Sequence, residues 1–161
     1  MLKINTLTKI TIAVAAAAIL IFTFIRLQDS RHSVATDFAA LPVEVEFETR
    51  SNDDLSELKA AFESKEYEKV LNLSDGDFEE SSQLDFMIGM SYFKTENYQM
   101  AVAMLVDLEE TRLAEYAIWY VALSYAMTEQ NDRAERSMNV VIEDDGKYAL
   151  DAQKWLSIPQ D

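Results

Sequence analysis

The sequence predicts an all-α chain: a single apolar helix at the N-terminus, then an α-solenoid of about three helix pairs with a C-terminal capping helix. Three observations point there. The stretch from Leu84 to Glu143 matches itself at an offset of 33 residues, and a period of about 20–50 residues marks a stacked-repeat architecture. Glycine (3) and proline (2) are scarce among 161 residues, which disfavours a β-rich or low-complexity chain. Hydrophobic residues make up 49% of the chain, enough for a core after the apolar start is set aside.

The apolar helix comes first. Ile10 to Ile25 carries no charge. The run from Leu7 to Leu27 makes a helix of roughly 31 Å, matching a hydrocarbon core of about 30 Å. Lys9 and Arg26 stand near its two ends, where their charged heads can snorkel to the interfaces. Residues 1–27 are therefore expected to be a signal anchor that crosses the bilayer once through Ile10–Ile25. The alternative is a secretory signal cleaved near Ser33-Val34-Ala35, which would release the rest of the chain. That site lies ten residues beyond Ile25, across Arg26, Asp29 and Arg31, which favours the anchor. The positive-inside rule leans toward an N-terminus inside the cell. In a bacterium this makes a single-pass inner-membrane protein with its C-terminal domain periplasmic.

Residues 28–52 read as a linker. Gln28 to Ala40 is polar and mixed, a spacer off the membrane. Within 42–48, Val43, Val45 and Phe47 alternate with Glu44, Glu46 and Glu48, the period of an extended segment with one apolar face. It is either an irregular tether or a strand that docks on the helical domain.

The helical domain spans residues 53–158. Asn52-Asp53-Asp54 reads as a helix start with acids in its first turn. Leu55, Leu58, Ala61 and Phe62 share a face, Ser64-Lys65-Glu66 turns the chain, and Tyr67, Val70, Leu71 and Leu73 form a second face. Asp77 and Glu80 have capping-box spacing for the next helix. In the first strong repeat, Leu84, Ile88, Gly89 and Tyr92 mark one helix, and Tyr98, Ala101, Val102, Leu105 and Leu108 the other. In the second, Ala114, Ala117, Val121, Ala122 and Tyr125 are followed by Ala134, Met138, Val141 and Ile142. Gly146 suits a left-handed C-cap. Tyr148, Ala149, Ala152, Trp155 and Leu156 make the final, capping helix, which Pro159 closes. Small residues at Gly89, Ala122, Ala101 and Ala134 let helix backbones approach, and each pair covers the apolar face left open by the last.

Gly89-x-x-Tyr92 with Tyr98-x-x-Ala101, and Ala122-x-x-Tyr125 with Asn131-x-x-Ala134, resemble the tetratricopeptide repeat (TPR) family. Lys65-Glu66-Tyr67-Glu68-Lys69-Val70 is a degenerate earlier copy. The likeness covers about Asp53 to Ile158, lacks the usual proline between repeats and has a period of 33 rather than 34. The layout is similar to that of small membrane-anchored bacterial TPR proteins. The resemblance implies a right-handed solenoid whose first helices line a concave face that binds peptides or proteins. On this chain that face would carry Phe86, Met87, Met90 and Phe93 from one repeat and Tyr116, Trp119, Tyr120 and Leu123 from the next. Methionines and aromatics suit adaptable apolar recognition. The basic and amide set of the carboxylate-clamp members is missing from these positions. The alternative readings of the same stripe are packing, or a groove covered by Val43–Phe47.

Composition narrows the function. Residues 1–32 hold four basic residues and one acid, whereas residues 33–161 hold 10 basic and 28 acidic ones. A domain this acidic is repelled by nucleic-acid phosphate, so no nucleic-acid partner is expected. There is no cysteine and a single histidine, His32. Thiol chemistry, disulfides, a His-based triad and a multi-histidine metal site are thereby excluded for one chain. Asp75, Asp77 and Glu79 lack the ligand set of a calcium loop. The Glu143, Asp144 and Asp145 cluster has no nucleophile–base partner. No catalytic residue, metal or cofactor is therefore expected. The leading expectation is a non-enzymatic, membrane-anchored scaffold that helps a partner protein assemble. The second is a membrane-bound regulator or sensor of a signalling or transcription component. The third is a secreted TPR protein after signal cleavage. Oligomeric state is left open.

Overall fold

The computed structural model describes residues 31–40, 45, 55–76, 78–108 and 110–159. These are helical, with no strand among the described residues. Residues 31–39 belong to α1. There follow α2 (Ser56–Glu63), α3 (Tyr67–Leu73), α4 (Ser82–Lys94), α5 (Tyr98–Leu105) with a 3₁₀ turn at Val106–Leu108, α6 (Ala114–Met127), α7 (Asn131–Glu143) and α8 (Ala149–Leu156). The apolar run 7–27, the acids at 52–54 and all of 42–48 except Val45 lie outside the described residues. Among the described residues no helix is long and apolar enough to cross a membrane.

From α2 onward each helix packs on the next, and α4 also touches α2 and α6. Contacts between nearest neighbours and next-nearest first helices define a one-dimensional stack. Three pairs, α2–α3, α4–α5 and α6–α7, are completed by α8. The turns within the pairs share one geometry. Lys65, Glu96 and Glu129 each have φ near +60°. Their N–H groups donate to Phe62, Phe93 and Ala126, and the following N–H groups donate to Ala61, Tyr92 and Tyr125. This double closure satisfies carbonyls that each helix end would leave orphaned.

The 33-residue period repeats bond for bond. Ser91 and Ser124 are both buried, and each hydroxyl donates to the carbonyl four residues back, Met87 and Tyr120, at 2.7 Å. Thr95 and Thr128 donate to Ser91 and Ser124 at 2.9 Å. A Cβ on Gly89 would stand 2.8 Å from Leu105 and 3.1 Å from the Cβ of Met104. The absent side chain therefore lets α5 seat against α4. Ala101, Ala134, Leu105 and Met138 are wholly buried at their repeat positions.

Three expectations are corrected. The left-handed residue after α7 is Asp145, not Gly146. Gly146 instead lies against Glu115: a Cβ there would meet the carboxylate at 2.5 Å, the flexible end of a side chain that accepts a hydrogen bond from the Lys147 N–H. The cap of α4 is Ser81, whose hydroxyl accepts from the Leu84 N–H at 3.2 Å, rather than the Asp77–Glu80 pair. The linker expected at 28–52 is helical at 31–39, because one side of that segment is apolar and has a surface to bury against.

Candidate helix-binding groove

The residues expected to line an open concave face are assembled side by side, but they are not open. Phe86, Met87, Met90, Phe93, Trp119, Tyr120 and Leu123 are buried, with Phe86 wholly so and Trp119 only 1% exposed. Tyr116 is half-buried at the edge. Their rings interlock edge to face: Phe86 with Tyr116 at 6.2 Å and Phe93 with Tyr120 at 5.0 Å. Burial pushes the Tyr120 hydroxyl well above its ordinary pKa, with Tyr67 adding to the shift and a hydrogen bond with Tyr148 opposing it.

Two parts of the chain cover this layer. Tyr148, at the start of α8, stacks flat on Trp119 at 5.0 Å. On the same indole, α1 presses Phe38 edge-on at 5.4 Å. Arg31, Ala35 and Phe38 of α1 are buried, while His32, Ser33, Thr36 and Asp37 are exposed. The spacing i, i+4, i+7 puts the three buried residues on one helix stripe. Val34, Ala39 and, beyond the helix, Val45 pack partly against the same core. The described occupant of the face is therefore α1.

The described part of α1 is held at both of its ends through backbone carbonyls. The Arg31 guanidinium lies 4.7 Å above the Trp155 ring and donates to the Ile158 carbonyl from Nε at 3.1 Å and Nη2 at 2.6 Å. Burial lowers its pKa, against the pull of Glu135. Arg31 Nη1 and Trp155 Nε1 are buried with no acceptor among the described residues. At the other end, Lys94 of α4 donates from Nζ to the Ala39 carbonyl at 2.6 Å, a cation at the negative end of the helix dipole. Burial, then Lys65, lowers the Lys94 pKa. Lys154 of α8 sits 5.4 Å from the Phe38 ring, and the Thr36 hydroxyl contacts Met127 Sδ at 3.8 Å. Thus α1 crosses the face from α8, over α6, to α4.

Sequence reasoning missed Arg31, Phe38, Lys94, Lys154 and Trp155 as members of this contact. The available signal was the Arg31, Ala35, Phe38 spacing with apolar Val34 and Ala39 beside it. Elsewhere, Glu129, Gln130, Asn131, Asp132, Arg133 and Arg136 line an open, polar depression of about 410 Å³ at the α6–α7 turn. Among the described residues no group of three or more His, Asp or Glu side chains is placed to hold a metal ion. The chain matches no protein-family model, no curated protein and no solved structure.

Proposed function

We propose that the chain is a non-enzymatic interaction module of TPR type, held at a bacterial inner membrane by residues 7–27, that scaffolds or assists assembly of a partner protein there. The observation that supports this reading most is the seating of α1. The face formed by α4, α6 and α8 takes a helix through three side chains one turn apart and through cations aimed at backbone carbonyls. Recognition by stripe spacing and by carbonyl groups carries over to other amphipathic helices. Methionines at 87 and 90 behind the aromatic layer suit such a face to repacking. One histidine and no cysteine leave no thiol nucleophile and no multi-histidine site, which fits a binding role.

The same contact favours a second reading, a membrane-bound regulator or sensor. Because α1 follows the apolar run in sequence and covers the face, its docked and undocked states are the two states a sensor requires.

Photo-crosslinking in cells tests the first reading. A photoreactive residue at Asp37, beside the groove, should capture a discrete partner that the same residue at Asn139 on α7 does not. No capture from either position, or equal capture from both, would refute it. A reporter fused after Asp161 gives the side of the membrane. A transcript response to deletion, without loss of an assembled complex, would favour the regulator.

A further inference from the structure

We propose that α1 of one chain docks in the groove of a second copy, so that two chains exchange α1 and form a dimer. This rests on the interaction-module reading for one point, that the face receives helices, and it names the helix.

The contacts that seat α1 are made to elements far along the chain. Arg31 reaches Ile158, 127 positions on, Thr36 reaches Met127, 91 on, and the Ala39 carbonyl accepts from Lys94, 55 on. Phe38 meets Trp119 and Lys154. A second copy carries each of these groups in the same place. An α1 that crosses to it recovers the same ring contacts and carbonyl bonds, which makes exchange of a terminal element a low-cost route to a dimer. The fit is close: Arg31, Ala35 and Phe38 are each 6% exposed or less. The chain between α1 and its own stack is also long enough. Seventeen peptide steps lead from Ala39 to Ser56. They reach at most about 60 Å, against a diameter on the order of 35 Å for a domain of this size.

Two features favour exchange over permanent docking in one chain. Arg31 Nη1 and Trp155 Nε1 are buried without an acceptor among the described residues. Undocking returns the guanidinium to water, which lowers the cost of letting go. Residues 31–39 are also made well before Trp155 and Ile158. At about 5–20 residues per second, the wait for a complete groove is on the order of 10 s. In that interval α1 has no complete partner in its own chain. Once both grooves exist, the docked contacts are the same within and between chains, so the concentration of copies decides the balance. Chains anchored in one bilayer by residues 7–27 would share a plane, which raises that concentration.

The chain has no cysteine, so a pair can be placed across the contact between the Thr36 hydroxyl and Met127 Sδ, 3.8 Å apart. Two differently tagged full-length copies, one with Thr36→Cys and one with Met127→Cys, are co-expressed and treated in intact cells with a short bis-maleimide. The two tags should be joined in one band. That band should be lost when the Thr36→Cys copy also carries Phe38→Asp or Ala35→Glu. It should not form when Met100→Cys, at an exposed position on α5, replaces Met127→Cys. A single copy carrying both Thr36→Cys and Met127→Cys, read by peptide mass spectrometry, reports docking as such. If that copy closes on itself while the mixed pair is not joined, α1 docks only in its own chain; the exchange is refuted and the interaction reading stands. Joining that survives Phe38→Asp and Ala35→Glu, or that is equally strong through Met100→Cys, is collision rather than docking and also refutes it. If the single copy does not close, α1 does not hold this face, and the exchange falls together with the seating on which the interaction reading rests.

Discussion

Replacing Phe38 by alanine should release α1 without unfolding the stack. The Phe38 ring is 6% exposed and touches the edge of Trp119 and the Lys154 ammonium. Truncating a buried Phe costs about 3 kcal/mol or more, roughly a hundredfold in the docking equilibrium. Little else in α1 offsets that loss. Ala35 contributes a single methyl, Arg31 sets its two bonds to Ile158 against desolvation of its own charge, and Lys94 adds one bond. The chain carries only two tryptophans, and both line the contact: Trp119 under Phe38 and Trp155 under Arg31. Phe38→Ala should therefore shift tryptophan emission to the red and increase acrylamide quenching at temperatures well below the melting transition. Far-UV circular dichroism should fall by no more than the helicity of α1. Unchanged emission, or an emission change that appears only with cooperative melting of all the helices, would refute the idea that α1 is a separately dockable element.

Other consequences follow from the repeats. Gly89→Ala should destabilise the domain by about 1–3 kcal/mol in urea unfolding, because the new Cβ lands 2.8 Å from buried Leu105; Ala122→Gly should cost about 1 kcal/mol through helix propensity, and more because it deletes a wholly buried methyl. Glu96→Gly should raise the midpoint by the equivalent of about 0.5–1 kcal/mol, since Glu96 holds φ at 63° against the left-handed penalty. Burial, then Glu80 and Asp107, raises the Asp85 pKa. Its ionised form is thus disfavoured in the folded state at neutral pH, and that penalty fades as pH falls through the raised folded value. Asp85→Asn should therefore stabilise at pH 7, with the gain shrinking on acidification, as urea titrations across pH would show.

The stack was legible because its determinants are local. Small residues at 89, 101, 122 and 134, the turn triplets, and the serine and threonine back-bonds all recur within one period. The face was legible as a set of residues and misread as a surface. Phe86, Met90 and Trp119 are buried, and part of the cover comes from outside their own repeats. Trp119 is covered by Phe38 of α1 and by Tyr148 at the start of α8, and the Arg31–Ile158 contact joins positions 127 residues apart. Residues 31–39 escaped notice because the described helix is short and its exposed positions are polar, so composition resembles a tether while the stripe is carried by three residues. Gly146 illustrates the same limit. Its neighbour Asp145 takes the left-handed turn, and the glycine answers to Glu115, a contact that only packing discloses.

Docking of α1 also ties the membrane reading to the groove. Arg31 is pinned to the Ile158 carbonyl and the Trp155 ring, and only three residues separate it from Leu27. Four peptide steps reach at most about 14 Å. With residues 7–27 as the anchor, a docked α1 therefore holds the Arg31 backbone within about 14 Å of the last residue of the span, and Ile158 one arginine side chain beyond that. Without α1 docked, the next described helix to fix the chain is α2, which begins at Ser56. Occupancy of the groove and standing distance from the bilayer are then one variable. A partner helix that takes the place of α1 would free the domain to reach away from the membrane, and a partner confined to the bilayer surface would meet the groove already filled.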